Sequence, residues 1–497
     1  MELDFVRETI RFERLAASAQ EQVVIEGEAA LPGSMRDAVT VLSVQAQAHI
    51  RDLQVGVDEV AVRGKACFQV LYTQGDLTRL RALETTCDFE RRVSMQGVTP
   101  GMRLDASICV QETEGRSGSG RITLSALIAL EMDAFDAVER TLITGAKKTT
   151  ELQTKEQTVQ LTMCETAGEE KTLVRDELEL APRLCAGDVL SATATVVGAD
   201  ITGGNGKIGV SGMLEVRVLH QNEEAGKPLV TTVHEIPYEL LIPGHTQEGT
   251  RLQAVAEVTD VMADSVVNDK RRVLRVEAEV RVRLMRIREE EKTLLADLYT
   301  LSGPQLEPVT EEVYAHTQEA YAEVRESVRL QTTLPKDAPP MDTMLAAFVQ
   351  PMITAASPAG RRLDTEGLLG VTMIYLPVDS DIPVSVHVRE PFTMTFPVEM
   401  GEGVSAQAHA IECTASAVTS DRAEIRCVLG LKARRHGAAR LCGVTDVREG
   451  PDVPAEHGFV LVWPPAGESK WDTARRLRVA QESLRPAGKN ALLAFRK

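Results

Sequence analysis

Aromatic residues and paired cysteines are scarce in this chain. Aromatics make up 4% of its 497 residues, and the two tryptophans, Trp463 and Trp471, both lie close to the C-terminus. The eight cysteines are scattered singly, and none has the Cys-x-x-Cys spacing of a zinc site or a redox motif. Reduced thiols buried in a cytosolic protein are therefore expected.

Long apolar runs are missing as well. No uncharged stretch reaches the length that crosses a bilayer. The first residues, Met1–Arg7, carry early acids and lack the apolar core of a signal peptide. The sequence therefore predicts a cytoplasmic protein without a membrane span.

Catalytic and metal-binding motifs are the third absence. The nine histidines form no His-Glu-x-x-His pair and none stands near a Gly-x-Ser-x-Gly turn. One Gly-x-Gly-x-x-G sequence, 204–209, is followed by strand-like alternation instead of a helix, which predicts a hairpin turn and no dinucleotide site. We expect no enzyme activity, cofactor or metal, although a site assembled from distant residues stays open.

Charge is unevenly distributed along the chain. The formal charge is −18, which disfavours nucleic acid as a partner. From residue 467 onward there are eight basic and three acidic residues, so this segment carries +5 and residues 1–466 carry −23. The C-terminal segment is thus a basic unit on an acidic body.

One strand-like stretch occurs three times. In each copy a glycine is followed eight residues later by a ring, and a second aromatic residue comes after it: Gly64, Tyr72 and Phe89; Gly212, His220 and Tyr238; Gly367, Tyr375 and Phe392. The glycines are 148 and 155 residues apart. This register predicts three copies of one domain. A glycine inside a strand indicates a bulge or a close backbone approach more often than a ligand groove.

Short apolar alternations separated by turn residues predict antiparallel strands in every copy. The expected fold class is mostly β, with three antiparallel sandwich-like or barrel-like domains and a small C-terminal βααβ module. The predicted boundaries are 1–145, 150–303 and 306–448 for the three domains, 449–456 for a proline-rich linker and 457–497 for the module.

The C-terminal segment changes from strand to helix periodicity. Ser469 stands where a helix N-cap is expected, with Asp472 three residues on as in a capping box. Trp471 and Leu477 lie on one face of this helix. Two interpretations stay open: they form the core of the module, or an exposed Trp471 joins the basic residues in a partner-binding patch. The candidate patch consists of Lys470, Trp471, Arg475, Arg476 and Arg478.

Residues 457–497 resemble a LysM module. Gly467, Trp471 and Ala474 match its signature, whereas Lys470 and Thr473 depart from it. The three β copies, with their glycine-to-ring strands, resemble the SPOCS domain of sporulation proteins. Tandem SPOCS domains followed by a LysM module are similar to a family of spore coat morphogenetic proteins of Clostridia.

This resemblance implies a non-enzymatic scaffold in the mother-cell cytoplasm, at the forespore surface. Its LysM-like module would bind SpoIVA, the coat-basement ATPase, and promote encasement of the forespore by the coat. Other coat proteins or a second copy are further possible partners of the β domains. The alternative is a protein that binds peptidoglycan or another N-acetylglucosamine polymer, as LysM modules commonly do. The absence of repeated LysM copies weighs against it, because sugar binders often gain affinity from multivalency.

Overall fold

The computed structural model describes residues 4–31, 39–74, 80–147, 151–179, 186–204, 206–222, 229–268, 271–401, 403–453, 458–488 and 491–496. In these residues the chain is almost entirely β-strand, with one α-helix near the C-terminus. The predicted mostly-β class is confirmed.

Eighteen strands precede the C-terminal module, in three groups of six that we call repeats 1, 2 and 3. Repeat 1 holds β1 (Phe5–Ala30), β2 (Val39–Val55), β3 (Glu59–Gln74), β4 (Arg81–Ser94), β5 (Arg103–Gly118) and β6 (Arg121–Ala146). Repeat 2 holds β7 (Leu152–Leu178), β8 (Ala186–Thr202), β9 (Lys207–Asn222), β10 (Leu229–Pro243), β11 (Thr250–Asn268) and β12 (Arg271–Thr300). Repeat 3 holds β13 (Gly303–Thr333), β14 (Met341–Pro358), β15 (Leu363–Pro377), β16 (Val384–Phe396), β17 (Ser405–Thr419) and β18 (Arg422–Val453).

Strand pairing is the same in all three repeats. The first, sixth and fifth strands form one antiparallel sheet with the sixth in the middle, and the second, third and fourth form another with the third in the middle. The two sheets enclose an apolar core in each repeat. The predicted boundary at 145–150 falls at the β6–β7 connection, whereas the one at 303–306 falls on the first residues of β13, just after the β12–β13 connection.

The alternation in β12 shows why these segments form strands. Every second residue from Leu274 to Leu284 is buried in the core of repeat 2. The intervening Arg275 and Glu277 form ion pairs with the neighbouring strand β7. One side of the strand therefore faces the core, as the sequence predicts. The other side is predicted to face solvent, but Arg281 on that side is only 7% exposed and pairs with Glu257 on β11, so the prediction is wrong at this residue.

The first and sixth strands of each repeat are 26 to 32 residues long. They are much longer than the short segments of alternating apolar and polar residues predict. Register shifts interrupt these pairs, as between Leu15 and Ala17 in β1. Bulges let a strand bend and continue past its own sandwich. The extended ends meet in a shared cluster, with Ile10 and Phe12, Val159 and Leu161, and Val313 and Ala315 as the repeat counterparts.

The recurrent glycine has the structural role expected of it. Gly64 lies directly opposite Phe89 on β4 and, on its other side, opposite the register shift after Ile50. A Cβ on Gly64 would lie 2.4 Å from the Phe89 ring and 2.5 Å from the His49 carbonyl oxygen. Gly212 faces Tyr238 and Gly367 faces Phe392 in the same way. The prediction of a bulge and a close approach is confirmed.

The predicted hairpin at the Gly-x-Gly-x-x-G sequence is also confirmed, because β8 and β9 pair antiparallel on either side of it, with Thr202 opposite Gly209. The rings eight residues after the recurrent glycines, Tyr72, His220 and Tyr375, are all buried.

The free cysteines among the described residues are Cys67, Cys87, Cys109, Cys164, Cys413, Cys427 and Cys442. Cys185 lies outside the described residues.

The three repeats contact one another in a closed ring. Ion pairs join repeats 1 and 2 through Lys65 and Asp260 at 3.0 Å and repeats 2 and 3 through Glu215 and Arg325 at 3.2 Å. Repeats 3 and 1 are joined by Arg434 and Asp133 at 3.0 Å. A second shared apolar cluster contains counterparts from every repeat: Leu42, Leu71, Leu190, Leu219, Leu345 and Ile374.

The C-terminal module consists of β19 (Gly458–Val462), α1 (Lys470–Leu477), a 3-10 turn (Gln481–Ser483), β20 (Arg485–Gly488) and β21 (Ala491–Arg496). It differs from the predicted βααβ order because the second helix is only the 3-10 turn and β20 is an additional strand. Residues 449–453 of the predicted linker continue β18 and pair with β13. Residues 454–457 lie outside the described residues.

Candidate interaction surface of the C-terminal module

Helix α1 begins at the N-cap that the sequence predicts. The Asp472 backbone N–H donates to Ser469 Oγ at 3.1 Å, and the Ser469 backbone N–H donates to Asp472 Oδ2 at 3.3 Å. This reciprocal pair is a capping box and satisfies two N–H groups at the helix start. The helix ends before Arg478, whose left-handed φ of 51° closes its last turn. The capping prediction is confirmed.

Trp471 lies in the core of the module and contributes almost no exposed surface. Only 5% of the residue is exposed. Its Nε1 donates to Asp297 Oδ2 on β12 at 2.7 Å, and its ring meets the Tyr299 ring edge-on at 5.0 Å. Of the two interpretations left open by the sequence, the structure shows the core one for Trp471 and Leu477.

Three arginines of the predicted patch bind within the chain. Arg475 Nη1 donates to Asp297 Oδ2 at 2.9 Å. Arg476 contacts both oxygens of Glu468 at 2.9 Å each, and its donated hydrogen bond lowers the pKa of that carboxyl. Arg478 donates to the Thr300 carbonyl at 2.9 Å, and burial lowers the pKa of its guanidinium.

Lys470 is the one residue of the predicted patch that is exposed and has no ion-pair partner within the described part of the chain. The basic helix face is thus mostly committed to contacts inside the protein. A patch centred on Trp471 and the three arginines is not presented to solvent as a unit.

The module is docked on the end of repeat 2. Tyr299 and Leu301 complete the small apolar core formed by Trp471, Leu477 and Val479. The Tyr299 hydroxyl donates to the Val479 carbonyl at 2.7 Å, and burial raises the pKa of this phenol. A unit of about 40 residues has a marginal core by itself, so these contacts from repeat 2 stabilise it.

Asp297 and Tyr299 were not predicted from the sequence. They belong to a strand whose pattern only indicates alternation, and Trp471 is 174 residues away from Asp297. The available signal was weak: an acid and a tyrosine near the end of a repeat, just before a polar junction.

The opposite side of the module is an apolar face on the sheet of β19 and β21. We call Phe459, Leu461, Trp463, Leu493 and Phe495 the sheet face. These residues are exposed by 73%, 48%, 62%, 37% and 44%. Phe459 lies opposite Phe495 and Leu461 opposite Leu493, and the two phenyl rings are 5.0 Å apart. The sequence interpretation placed β19 as a strand without recognising that its outer side is apolar.

A chamber of about 2110 Å³ lies between the three repeats. It is lined by β2 and β5, β8 and β11, and β14 and β17, which are edge strands of the six sheets in the repeats. Acidic and basic side chains both reach it, and several pair with each other, such as Arg217 with Glu215 at 2.7 Å. Burial lowers the pKa of His49 and of His409 to about 4, so both histidines are neutral near pH 7. The mixed charge gives the chamber no preference for one sign of ligand.

The fold of the protein is a ring of three β repeats, with a small α/β module docked on the end of repeat 2. Residues 37–114, which span β2 to β4 and most of β5, match the family model described as SipL, SPOCS domain. No curated protein and no solved structure matches the chain. The match supports a SipL-like SPOCS domain in repeat 1 and a role related to sporulation. Among the described residues, no helix is long and apolar enough to cross a membrane.

Proposed function

We propose that this chain is a non-enzymatic scaffold of spore coat assembly. Its C-terminal LysM-like module binds a SpoIVA-like coat morphogenetic ATPase in the mother-cell cytoplasm and promotes encasement of the forespore by the coat. The observation that carries this proposal is the SipL SPOCS match over residues 37–114, in a chain that ends with a LysM-like module. The repeats form the rigid body of the scaffold.

The geometry of the module supports a role in binding. Its helix is anchored to repeat 2 by Trp471 and Arg475, which share Asp297 as acceptor. The module is therefore held in one orientation on the ring. A pre-oriented binding unit loses less conformational freedom when its partner binds.

The test is affinity capture of the SpoIVA-like ATPase by the full chain and by a variant that lacks residues 457–497. We expect capture by the full chain and its loss in the variant. A thermal unfolding measurement of the variant checks that the ring stays folded. Equal capture by both proteins would contradict the proposal.

A charge reversal at Arg475 or Arg476 is a poor test. These side chains pair with Asp297 and Glu468, so a reversal would disturb docking or the module itself before it disturbed a partner. Lys470→Glu is the better charge variant, because this side chain is exposed.

Glycan binding is the competing function. The glycine and tryptophan of the LysM signature, Gly467 and Trp471, are present, but the tryptophan is buried against Tyr299. Calorimetric titration of the full chain with N-acetylglucosamine oligomers separates the two functions. Saturable binding that disappears with residues 457–497 would favour the glycan function.

A further inference from the structure

The sheet of the C-terminal module is apolar on both sides. Val460, Val462 and Leu492 point to the module core together with Ala494. The alternate positions of the same strands carry the sheet face, and Trp463 follows β19 at the same two-residue spacing. A sheet with one face on a core normally has polar residues on the other, so the solvent side of this sheet departs from the usual pattern.

The composition of the sheet face is that of a binding surface. The cross-strand pairs make the two phenylalanines and the two leucines contiguous, and a tryptophan follows Leu461 two residues further along the chain. Contiguous exposed apolar groups on a protein surface indicate an interaction site, whereas scattered ones do not. Aromatic residues at such sites commonly supply most of the binding free energy.

The other side of the module is occupied by the end of repeat 2 and by the first residue of β13 in repeat 3. Trp471 and Tyr299 are buried there, and Arg478 donates to carbonyl oxygens of Thr300 and Gly303. This docking points the helix towards the ring. The sheet face is consequently a large apolar surface that the described part of the docked module leaves in solvent.

We propose that the sheet face is the surface through which the module binds its protein partner, and that the partner presents an apolar patch bordered by carboxylates. This inference rests on the proposed function and specifies its site. Residues 467–497 carry +5, whereas residues 1–466 carry −23. Arg485 on β20 is exposed and lies opposite Leu493 of the sheet face, so a local acidic border on the partner is complementary to it.

A protein fits this surface better than a membrane does. An anionic lipid surface would extend under the whole molecule and not only under the module. The net charge of −18 therefore opposes its approach. A protein partner can place its carboxylates next to the module alone, since exposed charges further apart than about 8 Å are largely screened at physiological salt. A second copy would bring two acidic bodies together, which is also unfavourable.

The first experiment measures capture of the SpoIVA-like ATPase by three full-length proteins. Phe459→Ser combined with Phe495→Ser removes the paired rings, and Trp463→Ser removes the indole. Val57→Ser is the matched control, because Val57 is 68% exposed and lies on repeat 1. We expect affinity to fall about tenfold or more in the sheet-face variants and to be unchanged in the control. Since the three altered residues are exposed by 73%, 62% and 44%, the fold should persist, and circular dichroism checks this.

The second experiment uses the two tryptophans as probes. Full-length protein labelled with 5-fluorotryptophan gives one ¹⁹F resonance for the exposed Trp463 and one for the buried Trp471. Unlabelled ATPase should change the chemical shift of Trp463 and leave that of Trp471 in place. A shift of Trp471 alone would overturn the inference.

The outcomes separate this inference from the proposed function. If deletion of residues 457–497 abolishes capture but both sheet-face variants bind normally, the sheet-face inference is wrong and the scaffold function stands. If the deletion has no effect, the proposed function itself fails. Two results would overturn the assignment to an acidic protein partner. One is self-association of the wild type, seen by sedimentation, that the double variant loses. The other is binding of the wild type to phosphatidylserine vesicles that the double variant loses.

Discussion

Replacement of Asp297 by alanine should release the C-terminal module from repeat 2. Asp297 Oδ2 accepts from Trp471 Nε1 at 2.7 Å and from Arg475 Nη1 at 2.9 Å, and its side chain is 15% exposed. Alanine removes both contacts while the apolar contacts of Tyr299 remain. The variant therefore tests the polar part of the docking.

The expected magnitude follows from the burial of each donor. The Trp471 N–H is buried and would lose its acceptor, which costs about 1–3 kcal/mol. The side chain of Arg475 is 40% exposed, so solvent screening limits its ion pair to under about 1 kcal/mol. Docking should weaken by about 1–4 kcal/mol in total, which corresponds to roughly a 5- to 900-fold shift towards the undocked module.

Tryptophan fluorescence measures the release. In a Trp463→Phe background Trp471 is the sole tryptophan of the chain. Asp297→Ala should shift its emission to longer wavelength and increase its quenching by iodide. The control is Glu312→Ala, which removes an exposed carboxylate paired with Arg440 and should leave both signals unchanged. Unaltered emission and quenching in Asp297→Ala would refute the assigned role of Asp297.

Three further predictions concern the ring. Gly367→Ala should lower the free energy of unfolding by about 1–3 kcal/mol, since its Cβ would lie 2.3 Å from the Met352 carbonyl oxygen; Gly118→Ala, with no atom within 4 Å, should leave the urea midpoint unchanged. Burial lowers the pKa of His316 from 6.5 to about 4. The contribution of its buried neutral ring to the free energy of unfolding is therefore complete above pH 6.5 and is lost as the pH falls to 4. The loss is about 3 kcal/mol. Between pH 6.5 and 4, the free energy of unfolding of His316→Phe should therefore decrease by about 3 kcal/mol less than that of the wild type. Asp133→Ala should destabilise the contact of repeats 1 and 3 by about 2–3 kcal/mol, seen as faster hydrogen exchange in β6 and β18, and an exchange rate equal to wild type would contradict it.

The repeated domain was predictable in its local features. Two-residue alternation predicted the strands, and the spacing of Gly64, Gly212 and Gly367 predicted a shared backbone feature. The structure adds the reason, because each glycine faces an aromatic ring on one neighbouring strand and a register shift on the other. The length of the outer strands was missed, since bulges break the alternation that marks a strand in the sequence.

The candidate site was predicted to the level of its segment. Ser469 and Asp472 identified the helix start because a capping box lies within four consecutive residues. The same local pattern could not show which side of the helix faces solvent. Trp471 and the arginines were compatible with both a core and a surface patch until Asp297 and Tyr299 were placed beside them.

The sequence by itself determined the mostly-β class, the recurrent glycine strands, the capped helix and the basic character of the C-terminal segment. These depend on residues close together in the chain or on composition. Only the tertiary structure decided the closure of the ring, in which Asp133 and Arg434 are 301 residues apart, and the docking of the module on repeat 2. Such contacts leave no periodic signal, because each requires a single side chain at a distant position. That docking buries the helix side of the module and leaves the sheet face of Phe459, Trp463 and Phe495 in solvent.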